Sequence, residues 1–170
     1  MKKRILLNRM DSASKFLLFG LLSLTICFVF VSCENYQILS QWRDKNIVVD
    51  GESGDWLDAL TYVEEFNISL GMANDSEFLY ICAVVENPLV RMRVMRQGLT
   101  VWFDPNGGRD KTLGIRFPLG SLESEGLLEI LGPNREDVRR INKNDAKGVN
   151  VAMGVSSGLL VYELKVPLIN

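Results

Sequence analysis

The sequence predicts a mainly β fold, an antiparallel β-sandwich, and three observations carry that expectation. At least seven short segments after residue 46 either alternate apolar with polar side chains or are apolar throughout. Between them lie the residues that turn a chain: Asp50-Gly51, Asn74-Asp75-Ser76, Asp104-Pro105-Asn106-Gly107-Gly108 and Ser156-Ser157-Gly158. With the first 32 residues set aside, 138 remain. That is one domain's length, able to bury about two-thirds of its unfolded surface.

The first 32 residues stand apart because Lys2, Lys3, Arg4, Arg9 and Lys15 precede an uncharged apolar run of 16 residues, 16–31. A membrane-spanning helix needs ~20 such residues. The layout is that of a helical, cleavable signal peptide. Val31-Ser32-Cys33 resembles the lipobox of bacterial lipoproteins, a small residue before a cysteine that is acylated and becomes the new N-terminus. The expected organisation is a signal peptide over 1–32, a lipidated tether over 33–42 and a domain over 43–170. The product is exported and lipid-anchored to a bacterial cell envelope, with leaflet and membrane left open. The chain stops soon after an expected core strand, which leaves open a further strand beyond residue 170.

Charge and composition narrow the function. The leader holds five of the 19 Lys and Arg and one of the 21 Asp and Glu, so the exported part has 14 against 20, net -6. Nucleic acid is a poor partner for such a chain. Of three cysteines only Cys82 would remain beside the acylated Cys33, and it lies in the apolar run 78–85 as a small buried hydrophobe. Histidine is absent, which removes Ser-His-Asp and Cys-His catalysis and histidine-ligated zinc, copper or haem. A noncatalytic role is expected.

Taken in order, Ile47, Val48 and Val49 read as a strand ending at Asp50-Gly51, and Asp55-Trp56 as a turn whose indole plugs the end of the sandwich. Phe66, Ile68 and Leu70 alternate with polar neighbours. The run 78–85 is apolar on both faces, as in a central strand. Leu99, Val101 and Phe103 alternate with Thr100, Trp102 and Asp104, and Leu113, Ile115 and Phe117 return the chain as a hairpin. Residues 121–131 read as a short helix or irregular excursion. Asn134-Arg135-Glu136-Asp137 has the look of a helix cap, opening a charged helix to residue 142. A closing hairpin over 149–166 follows.

The motifs Ile47-Val48-Val49-Asp50-Gly51, Asp55-Trp56, Asn74-Asp75 with Phe78-Leu79-Tyr80-Ile81, Gly98 to Pro105, and Tyr162-Glu163-Leu164-Lys165-Val166-Pro167-Leu168 together resemble the carbohydrate-binding module family 9-like sandwich, a relative of DOMON domains. The resemblance spans residues 43–168 and implies carbohydrate, an oligo- or polysaccharide, as ligand. Haem-binding DOMON relatives use a methionine and a histidine. Met72, Met92, Met95 or Met153 could supply the first, and nothing supplies the second, so no cofactor is expected.

Sugar sites stack pyranose faces on aromatic rings and read hydroxyls with planar polar groups. Trp102 is the leading candidate, with Asp104 on its face and Arg116 on the return strand, and packing in the core is its plainer alternative. Trp42 is left open between the two roles. Arg91, Arg93 and Arg96 could form a fork for an acidic sugar or a phosphate, or simply keep an edge strand soluble. Asp104, Asn106 and Asp110 are candidate calcium ligands on the turn. The alternative function is a structural or assembly lipoprotein that uses the sandwich for protein–protein contact.

Overall fold

The computed structural model describes residues 36–120 and 126–168; the expected signal peptide, Cys33, Glu123 and Glu125 lie outside the described residues. Gln37 opens the compact unit that holds the sheets.

Ten strands and one α-helix are present among the described residues, and the strands form two sheets. The larger runs β1 (Gln41–Trp42), β3 (Ile68–Asn74), β4 (Phe78–Val85), β10 (Leu159–Pro167) and β9 (Asn150–Ser156), with β2 (Thr61–Val63) beside β1 on the outer edge of β3. The smaller runs β5 (Leu99–Phe103), β6 (Leu113–Phe117), β7 (Leu127–Leu131) and β8 (Val138–Asn142). All pairings are antiparallel except the short β1–β3 contact. This is a sandwich-like arrangement with the core between the sheets: Ile115 and Leu128 meet Val85, Leu160, Tyr162 and Leu164.

The period-two alternation explains why. In β5 and β6, Leu99, Val101, Phe103, Ile115 and Phe117 turn inward, as the sequence predicts. Strand β4 is apolar on both faces because both are covered. Leu79, Ile81, Ala83 and Val85 face the smaller sheet, while Tyr80, Cys82 and Val84 pack under Trp56, Ile47, Ala59 and Leu60. The expected burial of Cys82 holds, and loss of hydration pushes its thiol pKa well up.

The outer cover is tied down by one carboxylate. Glu163, fully buried, accepts hydrogen bonds from the backbone N–H groups of Asp50 at 2.9 Å and Gly51 at 2.7 Å, and from Trp56 Nε1 at 2.8 Å. Three of the motifs that carry the family resemblance therefore meet at one side chain. Burial pushes the Glu163 pKa up, against the pull of these donors. Gly51 sits at φ +86°, where a Cβ would come within 2.7 Å of the Gly154 backbone nitrogen, so the turn can only be glycine.

Tyr162, also in this core, leaves its hydroxyl buried without a partner. A buried unsatisfied hydroxyl costs about 1–3 kcal/mol, so Tyr162→Phe is expected to raise stability by about 1 kcal/mol in urea denaturation, where most core substitutions lower it.

Several sequence expectations are corrected. Residues 47–49 form an extended connection rather than a strand, since the Val48 N–H goes to the Asp55 carboxylate at 2.9 Å and not to a ladder. Gln41 and Trp42, assigned to the tether, pair with β3. The segment holding Arg91, Arg93 and Arg96 is no edge strand but helix α1 (Pro88–Gln97): Asn87 caps it, its side chain accepting from Leu89 N at 2.9 Å and Val90 N at 3.3 Å, with Pro88 in the first turn. The expected helix over 134–142 is a turn followed by β8. Asn134 donates to the Asp137 carboxylate at 2.8 Å instead of accepting from free amides, and pairing with β7 fixes the strand. In place of the excursion over 121–131 stands β7, with residues 121–125 outside the described part.

Candidate functional site

The outward face of the smaller sheet carries the polar phase of four strands. Register sets two cross-strand rows: Thr100, Arg116, Glu129 and Arg140 in one, Trp102, Gly114, Leu131 and Val138 in the other. Trp102 and Arg116 stand diagonally across adjacent rows of one face, a separation that aromatic and long side chains bridge, so the two come together as the alternation predicts.

Trp102 is half-buried. Its six-membered ring leans over Gly114, where an added Cβ would approach within 2.9 Å; a larger residue there would push the indole away. The Lys111 ammonium lies 5.6 Å from the ring centroid, within cation–π range. Beside the ring opens a hollow of about 410 Å³ lined by Trp102, Lys111, Arg116, Asn134, Arg135 and Val138, among others.

In the neighbouring row Glu129 is 1 % exposed and holds two guanidinium groups: Arg140 Nε donates at 2.9 Å and Arg116 donates from its terminal nitrogen. Arg116 Nε is buried without a partner, although the side chain as a whole is 37 % exposed. Burial pushes the Glu129 pKa up, but the hydrogen bonds and charges of Arg140 and Arg116 outweigh it and hold the carboxyl below its ordinary range. A lowered folded-state pKa adds stability above the unfolded pKa and loses it as pH falls through the folded one. Glu129→Gln is therefore expected to be less stable than wild type by about 1–2 kcal/mol at neutral pH, a modest figure because the arginines reach solvent. That gap should close as urea denaturation is repeated below the ordinary carboxylate range; a gap independent of pH would show that the ion pairs contribute nothing.

The other predicted site residues lie elsewhere. Asp104 follows β5, but its carboxylate closes the hairpin tip, Oδ1 accepting from Asn106 N and Oδ2 from Asp110 N, each at 3.0 Å. These bonds, Asp110 first, hold its pKa below the ordinary value. Asp104 lines a different, mainly apolar hollow of about 530 Å³ at the end of the sandwich, with Phe103, Ile115 and Ile130. Asn106 and Asp110 take part in the tip through their backbone, and among the described residues no three acids, cysteines or histidines gather as metal ligands. Arg93, exposed on α1, is not among the residues lining the Trp102 hollow. Trp56 is 1 % exposed, buried as expected, but on the outer face of the larger sheet against Ala73, Tyr80, Cys82 and Val84 rather than at the end of the sandwich. Trp42 is 67 % exposed and lines a hollow of about 250 Å³ in which Lys45 and Asp58 pair with each other.

The sequence reading missed Lys111, Glu129, Asn134, Arg135 and Arg140. Glu129 between Leu128 and Ile130 carried a period-two signal, but nothing local revealed that β7 pairs with β6 and β8. No protein-family model matches the chain, no curated protein matches it, and no solved structure matches it.

Proposed function

We propose that the chain is a noncatalytic carbohydrate-binding lipoprotein, exported and held at a bacterial cell envelope by lipid on Cys33, with a domain of the family 9-like sandwich type. The observation that carries the sugar reading is the indole of Trp102, facing outward beside a hollow lined with Lys111, Arg116, Asn134 and Arg135. An aromatic plane flanked by planar hydrogen-bonding groups is what a pyranose requires. Stacking on one ring supplies ~1–3 kcal/mol in comparable platforms, a weak affinity suited to repeated contact with a polysaccharide. The lipoprotein half rests on the signal layout and on Val31-Ser32-Cys33.

A second reading, a structural or assembly lipoprotein, draws on α1, where Leu89, Met92 and Met95 are exposed beside Arg93 and Arg96. Protein contact would use that helix and spare Trp102.

The test takes the full chain in detergent to a glycan array. At least one glycan should be retained, and Trp102→Ala should weaken its binding by about tenfold or more. The same substitution should cost only about 1 kcal/mol of stability, because the indole is half-buried. Labelled palmitate should enter the wild type and not Cys33→Ser. An array with no retained glycan ends the sugar reading, and equal labelling ends the lipid one.

A further inference from the structure

The observations go one step beyond sugar binding, and this step rests on that reading. We propose that the Trp102 hollow recognises a carboxylated pyranose, so that the ligand is a uronic-acid-containing glycan. Three cations, Lys111, Arg116 and Arg135, line the hollow, and among the described residues no carboxylate side chain does. This occurs in an exported part that carries six more acids than bases, so the positive patch runs against the charge of the domain.

Asp137 stands next to the hollow, where its carboxylate accepts from Asn134 Nδ2 at 2.8 Å, and the acid beneath the face strengthens the point. Glu129 lies beneath the face at 1 % exposure, and each of its oxygens is engaged by an arginine. It neutralises one of the two guanidinium charges and holds both groups in place. Their side chains remain 37 % and 66 % exposed, open to a second acceptor. A carboxylate is planar and matches a guanidinium through paired hydrogen bonds. The Lys111 ammonium lies over the indole, 5.6 Å from its centroid, so a ring stacked there displaces it to the ring's edge, where it meets a substituent anion. A neutral sugar would leave the charges of Lys111 and Arg135 without an anion. A flexible acidic peptide would gain nothing from the indole.

The experiment titrates the full chain in detergent with oligomers of galacturonate, guluronate and mannuronate, with their methyl esters, with neutral cello- and malto-oligosaccharides, and with polyglutamate. One oligouronate should bind about tenfold or more tighter than its methyl ester, the margin of one added ionic contact. The double variant Lys111→Ala/Arg135→Ala should lose that margin and keep the affinity for the ester, while Trp102→Ala should lose both. Circular dichroism confirms that each variant is folded. Equal, Trp102-dependent binding of acid and ester, or binding of neutral oligosaccharides alone, overturns the carboxylate inference and leaves the sugar reading standing. Polyglutamate bound as tightly as the oligouronate also overturns it, since charge alone would then suffice. If no saccharide binds, both readings fall together.

Discussion

Glu163→Ala is expected to lower the unfolding free energy by about 3–5 kcal/mol, a large share of the ~5–15 kcal/mol that holds an ordinary domain. The substitution strands three donors at once, two of them buried: the N–H group of Gly51 and the indole N–H of Trp56, with the part-buried N–H of Asp50 as the third. Each unsatisfied donor costs about 1–3 kcal/mol, reduced where water follows the missing side chain in. Glu163→Gln keeps the shape and one acceptor but sets an amide N–H₂ against N–H donors, so about half the loss is expected. Urea denaturation of the three proteins, monitored by tryptophan fluorescence, reads both values. A loss under about 1 kcal/mol for the alanine variant would mean that the cover over the larger sheet stays in place without its carboxylate.

Trp56→Ala should be about as damaging, ~3–5 kcal/mol, for a different reason. Its ring is 1 % exposed and fills the space between the outer face of the larger sheet and residues 47–60, against Ala73, Tyr80, Cys82 and Val84. Removing it opens a cavity and also deprives Glu163 of a donor. Trp56→Phe separates the two effects, since most of the packing stays and the N–H is lost; about 1–2 kcal/mol is expected. Because Trp56 and Glu163 are hydrogen-bonded, the double alanine variant should cost less than the two singles added together. Strict additivity in that cycle would disprove the coupling.

Much of this arrangement could be read from the sequence where a local rule and the tertiary structure agree. The alternation of 99–103 and 113–117 placed Leu99, Val101 and Phe103 inside and Trp102 outside, because one buried face imposes a period of two. The doubly apolar run 78–85 announced a strand covered on both sides. Failures came where one pattern had two meanings. Arg91, Met92, Arg93 and Val94 alternate like an edge strand, yet Asn87 and Pro88 supply a helix start that outweighs the alternation. Asn134 followed by acids resembles a cap, yet pairing of 138–142 with β7 decides the local structure. Of the site, Trp102 and Arg116 were accessible because they occupy adjacent strands of one hairpin. Lys111 and Arg135 were not, since loop residues reach the hollow through packing that spacing does not encode. Glu163 carries no local sign of its role, because its burial depends on a segment more than 100 residues away in sequence.

Strand order has a temporal meaning as well. The last described strand, β10, is an interior strand of the larger sheet, inserted between β4 and β9, and it carries the Glu163 that fastens residues 50, 51 and 56. A chain that emerges N-terminus first, from a ribosome or through a membrane pore, thus exposes β3, β4 and their future cover long before the strand that joins them exists. Contacts this distant in sequence form slowly. The larger sheet cannot be completed, nor its cover fastened at Glu163, until this interior strand has emerged.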